Sequence, residues 1–184
     1  MDVVVLIVVA GLFAVVSGVN DGGALLATGL KLPTVRPAKG IAALVVMVAA
    51  VPLVTNQVAV TFVTRLAAFD QPGGRMATAV AVIAAVAVVA VLSAKGRPTS
   101  LTLALVGGLT GAGLGWGLPV SEGAVAQVLA FGVAAPVVGA GLAWAFIRML
   151  VAVTTVRGLA RWHRAGFLLE TVAYAANDGQ KMLA

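Results

Sequence analysis

The chain has 184 residues, of which 61% are hydrophobic and only 10% charged, against about 25% charged residues in an ordinary soluble domain. That balance excludes a water-soluble globule and points to an all-α integral membrane protein. The net charge of +6 sits in short loops between apolar runs, where topology explains it without nucleic acid. With no cysteine, neither a disulfide framework nor a thiolate metal site can form.

Five apolar runs, at 3–16, 41–66, 76–92, 101–118 and 123–147, approach or exceed the roughly 20 residues that cross a bilayer. With the segment after them they predict about 5–6 transmembrane helices, one transmembrane domain over 1–184, and a multi-pass place in the cytoplasmic membrane. The first run carries Asp2 in place of a basic leader and continues into polar Asn20-Asp21, so it reads as a span rather than a cleaved signal.

Lys31, Arg36 and Lys39 follow the first span, Arg65 and Arg75 flank the next loop beside Asp70, and Lys95 and Arg97 follow the third. Glu122 stands alone after the fourth, and Arg148, Arg157, Arg161 and Arg164 follow the fifth. Cations concentrate in cytoplasmic loops, which puts the N-terminus outside and the loops at 31–39, 93–98 and 148–164 inside. The two arginines at 65–75 oppose the rule.

Ser17-Gly18-Val19-Asn20-Asp21-Gly22 and Ala175-Ala176-Asn177-Asp178-Gly179-Gln180 spell nearly the same polar run in apolar surroundings. Ionisable groups inside membrane segments are costly and mark ion or substrate paths. By the loop count the first copy runs inward and the second outward. That arrangement predicts inverted repeats with a site at their interface: a first repeat over 1–150 and the beginning of a second over 165–184. Gly18, Gly22, Gly23 and Gly179 beside the pairs predict helices broken at the Asn-Asp sites, with freed carbonyls lining a cavity. Asn20, Asp21, Asn177 and Asp178 would then offer hard oxygens to Na⁺, or either aspartate a proton.

Arg97-Pro98-Thr99-Ser100-Leu101-Thr102 reads as a helix start, whose free amides and dipole favour an anion, with the hydroxyls of Thr99, Ser100 and Thr102 adding donors. Gly107, Gly108, Gly111, Gly113 and Gly115 are expected to pack helices. Asn56 and Gln57 are expected to bond between helices, and His163 to lie solvated or against lipid. Trp144, Trp162 and Tyr174 fit interfacial anchors or packing. One His, no Cys and no local carboxylate pair leave little for enzymatic chemistry, so the chain reads as a non-enzyme without a cofactor.

These residues resemble the inorganic phosphate transporter (PiT) family of cation-coupled anion symporters. Its members carry Gly-x-Asn-Asp-x-x-Asn near the start and Gly-x-Asn-Asp-Ala-Gln-Lys in the later half. Gly18-Val19-Asn20-Asp21 matches the first, and Asn177-Asp178-Gly179-Gln180-Lys181 the second. Between them, Pro98 to Gly108 looks like a degraded copy of the family's Pro-x-Ser-Ser/Thr-Ser/Thr-His-Ala-Leu-Ile-Gly-Gly, and a basic stretch, Arg157 to Arg164, precedes the second signature as in the family.

The resemblance implies phosphate symport driven by Na⁺ or H⁺, with cations at Asn20, Asp21, Asn177 and Asp178 and phosphate at Thr99, Ser100, Thr102 and Gln180. Ala24, Leu101 and Leu103 replace polar family residues, which keeps sulfate or another oxyanion open as cargo. Family members continue for several spans beyond the second signature, whereas this sequence stops at Ala184. The expectation is therefore a truncated or split permease, completed by a second chain or a homo-oligomer in the lipid bilayer. The alternative is a non-transporting remnant or helical partner.

Overall fold

The computed structural model describes residues 3–97 and 99–183, and its elements there are helical apart from one isolated antiparallel bridge between Ala67 and Val120. Helix α1 (Val3–Ser17) passes through a π-helical turn (Gly18–Gly22) into α2 (Gly23–Gly29). Then come α3 (Pro37–Val54), α4 (Gln57–Val60) with a π turn at Thr61–Arg65, α5 (Gly74–Ala94) and α6 (Leu101–Gly115). The long α7 (Glu122–Val153) precedes α8 (Val156–Tyr174), a third π turn (Ala175–Gly179) and α9 (Gln180–Leu183). Among the described residues, four helices are long and apolar enough to cross a membrane: Val4–Gly29, Pro37–Val54, Gly74–Ala94 and Glu122–Val153. Leu101–Gly115 is apolar but shorter.

The tightest pairing joins α5 to α6. Ala77, Ala81, Ala85 and Val89 recur every four residues on one stripe of α5 and are all but fully buried, against Leu101, Leu105, Val106 and Leu109 of α6. Small side chains let the backbones close in, so that a methyl added at Gly108 would stand 2.5 Å from the Ala81 carbonyl oxygen. The hairpin between them turns at Gly96 (φ +65°), and Ser100 caps α6 by accepting from Leu103 N at 3.3 Å. Pro98, the residue from which the sequence starts this helix, lies outside the described residues.

Two expected features differ. The apolar run 41–66 is two helices, because the chain is extended at Thr55 (φ −141°, ψ 135°) just after Pro52. Neither Asn-Asp site is a break. Each lies in a π turn whose flanking residues keep right-handed helical angles, so the helix widens by one residue and continues.

The two Asn-Asp helices run antiparallel. Phe167 lies over Gly29, Tyr174 Oη donates to the Ser17 carbonyl at 3.4 Å, and Met182 packs against the cluster that holds Phe13. Helix α3 backs the second motif closely, since a methyl at Gly179 would meet Pro52 Cγ at 3.1 Å and the Val48 carbonyl at 3.3 Å. Helix α7 has no buried residue and packs on α6, with Phe146 also edge-on to Trp162 of α8, which leaves most of its apolar side chains for lipid. His163 is half-buried and pairs through Nδ1 with Thr34 Oγ1, so α8 is pinned to the 31–36 loop rather than lying free.

The Gly108 contact sets a test. Gly108→Ala should lower the thermal midpoint of the detergent-solubilised protein, with an overpacking cost of about 1–3 kcal/mol. Gly107→Ala, with nothing within 4 Å of the added methyl, should leave the midpoint unchanged or raised.

Candidate functional site

An open cavity of about 570 Å³ lies where α2, the start of α6 and α8 meet. Asp21, Asn177 and Asp178 line it with Ser100, Thr102 and Glu170. Residues 170, 173, 174, 177 and 178 follow helical spacing, so α8 and its π turn present one continuous face to the cavity. From the opposite helix come Asp21, Ala24, Leu25 and Thr28, spaced by three and four residues. Two sequence-distant motifs thereby share one space.

Asn20 does not line the cavity. Its Nδ2 donates to Asp21 Oδ1 at 2.6 Å and to the Thr99 carbonyl at 3.1 Å, while its Oδ1 accepts from Ser93 Oγ at 3.1 Å. The side chain thus fastens the α5–α6 hairpin tip to α1 and orients the neighbouring carboxylate. Ser17, one turn earlier, is fully buried, and its Oγ has no hydrogen-bond partner among the described residues.

Asp178 has a different setting. Its Oδ1 lies 2.6 Å from Lys181 Nζ, and the lysine side chain is 1% exposed. The same ammonium donates to Thr102 Oγ1 at 2.5 Å and stands 5.9 Å from the centroid of the Phe62 ring. A buried ammonium costs several kcal/mol unless it is paired and hydrogen-bonded, and here both conditions hold. The lysine therefore joins the second Asn-Asp motif to the first turn of α6.

Of the expected phosphate-contacting residues, Ser100 and Thr102 line the cavity, Ser100 also capping its helix and Thr102 accepting from Lys181. Thr99 contributes its carbonyl to Asn20 and turns its own hydroxyl to the Arg97 carbonyl at 3.1 Å. Gln180 lies elsewhere. Its Oε1 accepts from Val58 N at 2.8 Å and Ala59 N at 3.4 Å, and its Nε2 donates to Thr55 Oγ1 at 3.4 Å. It caps α4 where the helix restarts after the break.

Sequence reasoning passed over Lys181, Glu170 and Tyr174 as site residues. Glu170 and Tyr174 precede Asn177 by seven and three residues on one helical face, a spacing visible in the sequence once a helix is assumed. The burial of Lys181 has no local sign, because Thr102 and Phe62 come from distant elements.

The ion pair makes an energetic prediction. Lys181→Met should destabilise the protein by on the order of 3 kcal/mol, since it leaves Asp178 without its partner. Lys181→Met combined with Asp178→Asn should regain most of that loss in thermal denaturation. A double variant as unstable as the sum of the single ones would show that the two side chains act independently.

Compared with protein-family models, with curated proteins and with solved structures, the chain matches none of them.

Proposed function

We propose that the chain works in a cation-coupled oxyanion permease, with inorganic phosphate as the cargo and Na⁺ or H⁺ as the driving ion. The observation that carries this is the convergence of two antiparallel Asn-Asp π turns on one cavity, beside the hydroxyls of Ser100 and Thr102. Carboxylates in an apolar bundle are expensive, and functional sites are where such expense persists. Similarity to the signatures of inorganic phosphate transporters supports the choice of cargo. In this account the N-terminus is outside, and the loops at 31–39, 93–98 and 148–164 face the cytoplasm.

The charges call for coupling. Asp21, Glu170 and Asp178 face the cavity, and one lysine, committed to Asp178 and Thr102, stands behind them. An oxyanion meets net negative charge there until cations bind. Asp21 and the amide of Asn177 are oxygen donors of the kind Na⁺ prefers, and Asp21 or Asp178 can take a proton instead. Moving a divalent phosphate into a negative interior costs about 4.6 kcal/mol per 100 mV, so two monovalent cations are needed to cancel its charge.

Asp21→Asn and Asp178→Asn should each abolish gradient-driven uptake of radiolabelled phosphate by the assembled permease in proteoliposomes, with membrane insertion unchanged. Uptake driven by an imposed Na⁺ gradient, or by a pH gradient, identifies the coupling ion. Blockade by excess sulfate in place of phosphate reassigns the cargo. Undiminished uptake in both variants removes the cation-site assignment.

A further inference from the structure

Of the twelve Lys and Arg, Lys181 is buried and nine stand at 31–39, 95–97 and 148–164. Arg65 and Arg75 are the remaining two, on the opposite side, where the distribution of cations across membranes disfavours them. Both line one cavity of about 610 Å³ at the end of the bundle where α1 begins, together with Thr64, Thr78, Ser121 and Asp70. Asp70 is exposed, and among the described residues the only ion pair within 4 Å is Lys181–Asp178. The two guanidinium groups are thus free to face a ligand.

The cradle is fixed before any ligand arrives. Ala67 bridges to Val120, Ala68 N donates to the Pro119 carbonyl at 3.2 Å, and Ser121 N donates to the Leu66 carbonyl at 2.9 Å. Leu66 is fully buried and anchors the segment. At the far side of the loop Gly73 adopts φ +89°, and the Trp116 indole lies so close that a methyl there would stand 2.9 Å from Cδ1. A left-handed residue under an aromatic ring leaves the start of α5, and with it Arg75, little freedom.

We propose that this cavity is a second oxyanion site, a vestibule in which Arg65 and Arg75 collect phosphate or a similar tetrahedral oxyanion before it reaches the Asn-Asp cavity. Guanidinium groups offer planar paired donors matched to such oxygens. The Ser121 hydroxyl, which accepts from Ala124 N, keeps its hydrogen to donate, whereas Thr64 and Thr78 donate to the Val60 and Gly74 carbonyls. The biological sense of the site rests on the permease account above, but the binding itself does not pass through the Asn-Asp residues.

Trp116 supplies the readout. The full chain carrying Trp144→Phe and Trp162→Phe, in nanodiscs of neutral lipid, is titrated with inorganic phosphate at ionic strength held constant with chloride. A saturable change in Trp116 emission is expected, and Arg65→Gln and Arg75→Gln should each weaken the apparent affinity by roughly tenfold or more. A response matched by chloride, or one that both arginine variants leave intact, overturns the vestibule and leaves the uptake test of Asp21 and Asp178 standing. In the chain with all its tryptophans, phosphate should also protect Arg65 and Arg75 from phenylglyoxal, mapped by mass spectrometry. Equal modification with and without phosphate overturns the site even where the tryptophan substitutions disturb folding.

Discussion

The contact on which the arrangement turns is the buried ammonium of Lys181. It reaches three elements at once: the carboxylate of Asp178 in the second π turn, the hydroxyl of Thr102 in α6 and the ring of Phe62 after α4. Asn20 makes the complementary tie, from the first π turn to Ser93 and Thr99 at the hairpin tip. Each Asn-Asp motif therefore reserves one side chain for gripping the same α5–α6 hairpin. Asp21 and Asn177 are left to the cavity, which Asp178 lines as well while holding Lys181.

Backbone hydrogen bonding in lipid explains the form of the sites. A broken helix leaves amides and carbonyls unpaired, and hydrocarbon offers them nothing. A π turn inserts a residue while the helix continues, and so redirects the side chains without freeing a run of backbone groups. Where the chain does break, after Thr55, the exposed amides of Val58 and Ala59 go to the carboxamide of Gln180. The same short segment that brings Asp178 into the cavity thus also satisfies the break in α3–α4.

Much of the helical layout was legible in the sequence, because uninterrupted apolar length announces itself. The runs at 76–92 and 123–147 lie within α5 and α7, and Ser100 caps α6 as its position suggests. The pairing of the two Asn-Asp motifs was legible from their spelling. Three things were not. The break in 41–66 follows Pro52, but the Gln180 side chain that takes up its freed amides comes from more than a hundred residues away, so no local window contains that partner. The π turns have no compositional mark that separates them from a glycine-weakened helix. Glycine beside Asn-Asp suggested a break, whereas Gly179 is small because α3 presses on it. His163 shows the same limit, since its partner Thr34 belongs to a remote loop.

The two cavities are opposite in sign and lie along one helix. Leu6 lines the arginine cavity and Asp21 the carboxylate cavity, and fifteen residues of helix at 1.5 Å each place them about 22 Å apart. That exceeds the distance of about 8 Å over which exposed charges interact at physiological salt. Among the described residues, neither Arg65 nor Arg75 makes an ion pair with Asp21, Glu170 or Asp178. Lys181 already donates to a carboxylate and a hydroxyl. In the permease we propose, an oxyanion leaving the arginines would meet carboxylates in the second cavity whose lysine counter-charge is already engaged. On that proposal the missing positive charge comes from solution, as the driving cation, and the oxygens of Asp21 and Asn177 are there to receive it.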